Sequence, residues 1–160
     1  MKQRLPALLL ALLAVLGACT SSRTNGDAQP LQLYFTSALE HGPSIVGQPY
    51  RGNEQPSAET LISALLAGPT DSNLRSPFPA GLALRSCTLE DGLLTVDFSE
   101  QYGGLANLSL TLADYCLVLT VCQLEDVDRV EILVGGQPLS HRSHQTLTQE
   151  EVLLALEEGQ

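Results

Sequence analysis

Glu90-Asp91-Gly92 sits between two runs of alternating apolar and polar residues, and no other stretch constrains the fold as strongly. Asp-Gly is among the strongest two-residue turn signals, because a tight hairpin turn needs positive φ at both positions. Residues 83–90 and 93–99 therefore read as the two strands of a hairpin. On the second strand Leu94, Val96 and Phe98 face one way, and Leu93, Thr95 and Asp97 the other. Cys87 and Leu89 share the apolar side from the first strand. A hairpin alone is marginal in water, so neighbouring segments must cover that side.

Those segments are present in the sequence. Upstream, Leu31, Leu33 and Phe35 alternate with polar residues as a half-buried strand. Residues 37–57, with Gly42, Pro43, Gly47, Pro49, Gly52 and Pro56, read as a long loop of the kind that serves function or moves. Ser57 is placed to cap a helix striped by Leu61, Leu65 and Leu66, which Gly68-Pro69 terminates. Downstream, residues 109–124 form a helix with a main stripe of Leu110, Ala113, Leu117, Val121 and Leu124. Leu112, Cys116 and Leu119 make a second stripe on its flank, which either lies under a loop or is exposed as an interaction patch. Residues 129–134 read as a strand ended by Gly135-Gly136. Thr148-Gln149-Glu150-Glu151 matches a capping box with Leu147 and Val152 as its hydrophobic staple, starting a short helix over 149–157.

The element order is thus β-α-β-β-α-β, an α+β chain. It suggests the split-βαβ (ferredoxin-like) plan, with a four-stranded antiparallel sheet, both helices on one face and a short C-terminal helix.

Several ordered pieces carry a family resemblance. They are Leu65-Leu66-Ala67-Gly68-Pro69-Thr70, Pro79-Ala80-Gly81, Asp91-Gly92-Leu93-Leu94-Thr95-Val96-Asp97-Phe98-Ser99, and Val127-Asp128-Arg129-Val130-Glu131-Ile132-Leu133-Val134-Gly135-Gly136. Over residues 31–139 the chain resembles the GerMN domain, named for a spore-germination and sporulation protein of Gram-positive bacteria. The resemblance implies an exported lipoprotein linked to sporulation, germination or envelope assembly, with no catalytic motif and no cofactor.

The N-terminus fits export. Lys2 and Arg4 precede an apolar run from Leu5 to Leu16, which is shorter than the roughly 20 residues a spanning helix needs. Leu16-Gly17-Ala18-Cys19 then resembles the lipobox of bacterial lipoproteins. In that family a lipid is attached to the cysteine, here Cys19, and the bilayer becomes a partner through the acyl anchor. Residues 1–18 are then a signal peptide, 19–30 a flexible polar tether, and 31–160 a single domain with its core at 31–139 and an extension at 140–160. This places the domain at the outer face of the bacterial cytoplasmic membrane.

Composition narrows the partners. With 18 acidic against 8 basic residues the net charge is −10, which argues against nucleic acid. The expected outward positions of the sheet, Tyr34, Ser86, Thr88, Thr95, Asp97 and Glu131, include one aromatic among hydroxyls and acids and so make no base-stacking surface. Cys87, Cys116 and Cys122 show no C-x-x-C or metal spacing, and read as small buried hydrophobes. His141 and His144 form an H-x-x-H pair without a third ligand, a poor zinc signal, and His41 sits in the long loop. No Gly-x-Ser-x-Gly elbow or phosphate-cradling loop is present.

The sequence therefore points to a non-catalytic interaction or assembly module that meets an envelope protein or itself, with Leu112, Cys116, Leu119 and Tyr34 as candidate interaction surface. The alternative is an envelope ligand-binding protein (glycan or small molecule) or hydrolase that uses the 37–57 loop as a lid. Cys19→Ala should release the protein from membranes or leave it as an unprocessed precursor. Metabolic labelling with a fatty acid checks this, and unchanged labelling of the variant would refute the anchor.

Overall fold

In a computed structural model the described residues are 30–37, 44–142 and 144–158. The strands are β1 (Gln32–Ser37), β2 (Ile45–Pro49), β3 (Leu74–Arg75), β4 (Leu84–Glu90), β5 (Leu93–Phe98), β6 (Arg129–Val134), β7 (Gln137–Pro138) and β8 (Thr146–Thr148). The helices are α1 (Ala58–Leu66), α2 (Asn107–Val121) and α3 (Gln149–Glu158), with a 3-10 turn at Glu100–Gly104. The mixed α+β character expected from sequence is present.

The central hairpin forms as expected. Asp91 and Gly92 have φ of 47° and 76°, the mirror-image turn that matches strand twist. A Cβ at position 92 would also push the exposed Asp128 carboxylate aside, but it is the positive φ that calls for glycine there. Leu94, Val96 and Phe98 are buried. The helix signals hold too: Ser57 accepts a hydrogen bond from the Thr60 N–H, and Gly68 takes φ of 89° just past the end of α1. At α3 the capping box closes in both directions. The Thr148 N–H donates to Glu151 Oε2 at 2.9 Å, and the Glu151 N–H donates to Thr148 Oγ1 at 3.2 Å. These contacts draw the Glu151 carboxyl below its ordinary pKa.

The sheet differs from the four-stranded plan. β5 pairs antiparallel with β4 and parallel with β6, and the order β4-β5-β6-β7, with β8 also on β6, makes a five-stranded mixed sheet. β1 lies outside it, in a separate three-stranded sheet of order β2-β1-β3. The place beside β5 that the split-βαβ plan gives to the first strand is occupied by β6. The cause is local: residues 45–49, expected as loop, form β2 and pair with β1 from Thr36↔Ile45 to Gln32↔Pro49. Pro49 is tolerated because β2 is an edge strand. Gln48 fixes the turn beyond, its Oε1 accepting from the Thr70 and Asp71 N–H groups. A lid spanning 37–57 is therefore replaced, over 45–49, by a hydrogen-bonded strand; residues 38–43 lie outside the described set.

α2 starts earlier than the stripe suggested, at 107, and ends earlier, at 121, where the Gln123 side chain closes its C-terminus. The Gln123 amide donates to the Leu119 and Thr120 carbonyls at 3.0 and 2.9 Å. The same side chain serves β1, accepting from the Gln32 N–H at 2.8 Å and donating to the Gln32 carbonyl at 2.7 Å. Thr120 Oγ1 accepts from the Tyr34 N–H at 3.1 Å. Side chains at the end of α2 and just beyond it thus satisfy the part of the β1 edge that the short β3 leaves uncovered. We expect Gln123→Ala to destabilise the fold by about 1–3 kcal/mol, because it strands polar backbone groups of Gln32. Urea unfolding of the mature protein would measure the loss.

Candidate functional site

A buried acid demands a partner, and Asp114 on α2 has two. The Tyr102 hydroxyl and Arg142 Nη2 each donate to Asp114 Oδ1 at 2.6 Å. Arg142 Nη1 also donates to the Ile132 carbonyl at 3.0 Å, while its buried Nε has no protein partner. Tyr102 stacks on Phe98 with ring centroids 4.9 Å apart. The pair is dry, with side-chain exposures of 5% for Arg142 and 7% for Asp114. Burial lifts the Asp114 carboxyl above the usual carboxylate range, and Arg142, the Tyr102 hydroxyl and His141 pull it part of the way back. Burial, with Asp114 alongside, pushes the Tyr102 phenol well above its ordinary value. The constellation ties the 3-10 turn, α2 and the segment after β7 together.

Above this pair an open cleft of about 490 Å³ gathers Asn107, Thr111, Tyr115, His141 and His144. Both histidines lie in loops, as the sequence implies, and the structure brings them to one cleft. It holds polar groups able to bind a small ligand. Among the described residues no group of three or more His, Cys, Asp or Glu could hold a metal ion.

The sequence-selected surface is largely interior. Cys116 and Leu119 are 0% and 3% exposed, so they offer no interaction patch. Leu112 and Tyr34 are half-buried. Beside them, the Thr120 and Gln123 side chains bond the backbone of β1. Cys19 and His41 lie outside the described residues. The three described cysteines are unbridged. Burial pushes the Cys116 thiol up to about 12 and the Cys122 thiol to about 11, and also raises Cys87, with Glu59 adding to it. All three stay protonated near neutral pH, poor states for a nucleophile.

The expected open face of the larger sheet is present at Ser86, Thr88, Thr95, Asp97 and Glu131; Tyr34 departs with β1. Asp97 is buried on that face, bound by Arg85 Nε at 3.1 Å and by the Gly136 N–H at 2.8 Å.

We expect Arg142→Met to cost about 3–5 kcal/mol, since it leaves a buried carboxylate unpaired. Without the guanidinium the folded-state pKa of Asp114 rises further above its unfolded value. The folded variant then binds the proton more tightly, and its stability falls as pH rises through that folded pKa. Adding Asp114→Asn should recover stability and flatten the pH profile, as read from urea midpoints at acidic and neutral pH.

Comparisons with known proteins agree with this fold. The sequence profile of the Germane family, sporulation and spore germination, matches residues 32–140. No curated protein matches the chain. The tandem GerMN domains of the sporulation protein GerM from Bacillus subtilis are 22% identical with a TM-score of 0.61, covering 76% of this chain and 44% of that one. This chain thus spans less than half the length of that structure. The first GerMN domain of the same protein is 15% identical with a TM-score of 0.58, covering 75% of this chain and 98% of that one. A candidate lipoprotein from Clostridium perfringens is 22% identical with a TM-score of 0.52, covering 76% of this chain and 87% of that one. At such identities these likenesses speak for the fold alone, whereas the profile covers most of the sequence: the chain belongs to the Germane family of sporulation and spore germination.

Proposed function

We propose that this protein is an extracytoplasmic lipoprotein whose folded domain is a non-catalytic assembly module of the cell envelope, acting in sporulation or germination. The observation that carries the reading is the family match over residues 32–140. The anchor is a lipid on Cys19, supported by Leu16-Gly17-Ala18-Cys19 after a short apolar run. A candidate lipoprotein with the same fold adds support. No described helix is long and apolar enough to cross a membrane. The module works by contact, with the acidic surface keeping the domain clear of anionic lipid so that its faces remain available to envelope proteins.

A second reading, binding of a small ligand or glycan, is favoured by one observation: Asn107, Thr111, Tyr115, His141 and His144 surround a single cleft. In this reading the cleft, rather than a 37–57 lid, carries recognition, since part of that loop is held as β2.

In-cell crosslinking with a C-terminal tag, in growing and sporulating cultures, separates the two. Recovery of the chain itself or of defined envelope proteins is the expected outcome. Absence of any protein partner in both cultures would overturn the assembly reading and favour the cleft.

A further inference from the structure

β4 is a free edge. Its inner side pairs with β5, and no described strand pairs with its outer side. It has seven residues, and all but Leu84 and Cys87 are exposed. Soluble proteins usually guard such an edge with Lys, Pro, shortness or a bulge. Here the single irregularity falls between Leu84 and Ser86, leaving Ser86–Glu90 regular and unguarded.

The charges on this edge are polar along the strand. Arg85, whose Nε pairs with Asp97 at 3.1 Å while 54% of its side chain stays exposed, stands at one end, and Glu90 and Asp91 stand at the other. A parallel neighbour of the same sequence would set like charges together. An antiparallel copy would set Arg85 beside Glu90 and Asp91 of its partner, twice, about one two-fold axis.

Side-chain alternation then selects the register. Cys87 and Leu89 lie on the core face with Val96 and Leu94, while Ser86, Thr88 and Glu90 lie on the open face. With Thr88 on the axis, Cys87 faces Leu89 of the other copy and Ser86 faces Glu90. Apolar then meets apolar, and Leu89, 37% exposed, becomes covered. With Cys87 on the axis instead, Arg85 would face Leu89, which satisfies neither group.

We propose that β4 is the surface through which two copies of this chain pair, antiparallel and centred on Thr88, joining their larger sheets into one. The inference names a partner for the assembly reading and rests on it. A strand of this length buries less than a standard interface, so the pair is weak in free solution. Anchoring both copies to one membrane raises their effective concentration and compensates.

The test uses the full chain in cells, in a Cys87→Ala background whose own cross-linking sets the baseline. Thr88→Cys should form a disulfide-linked dimer under mild oxidation. Ser86→Cys should not, because in this register the two copies of position 86 are roughly 13 Å apart along the strands, beyond a disulfide's reach. Adding Glu90→Arg to Thr88→Cys places like charges together and should lower dimer yield about tenfold. Equal cross-linking at 86 and 88, none at 88, or indifference to Glu90→Arg would overturn the pairing. Envelope partners still recovered in the pull-down would then leave the assembly reading standing on another surface.

Discussion

The structure depends on the burial of α2. This helix is apolar around most of its circumference, with Leu110, Ala113 and the run from Cys116 to Val121 all buried. Such a helix cannot rest on one sheet with its back to water. It shares one core with Leu94, Val96, Phe98, Val130 and Ile132 of the larger sheet, with Leu61, Ile62 and Leu65 of α1, with Leu33 and Phe35 of β1 and with Val152 of α3. Each of these elements has its own local reason to form, and α2 is what they have in common.

Two polar devices make that burial workable. At its C-terminal end Gln123 and Thr120 turn toward β1 and act as a substitute strand for Gln32 and Tyr34. In its middle, Asp114 is neutralised by Arg142 and held by Tyr102. Buried ionic pairs of this sort contribute specificity more than net stability, since hydrophobic replacements can do as well. Their effect here is positional: Asp114 holds Arg142 against α2, beside the cleft that His141 and His144 line.

The two sheets then divide the surface. The larger sheet presents a polar open face and one long exposed edge at β4, while in the smaller β1 is held by β2 on one side and by β3, Thr120 and Gln123 on the other. Among the described residues the exposed features thus include edges and faces and one open cleft.

Local chemistry was legible from the chain. Asp91-Gly92, Ser57, Gly68-Pro69 and the Thr148-to-Glu151 box act over a few residues, so each turn and cap could be placed without knowing the fold. The alternation of Leu94, Val96 and Phe98 named a core face for the same reason. What tertiary structure decided was every pairing between distant segments. β1 leaves the main sheet because Ile45–Pro49 offers it a partner, yet Gly47 and Pro49 made that stretch read as loop. On the flank, Cys116 and Leu119 are interior and Leu112 is half-buried, which the spacing alone did not decide. Asp114 and Arg142 meet across 28 residues of sequence. Periodicity says that a side needs covering; it does not say what covers it, because any apolar surface serves and only the closed chain selects one.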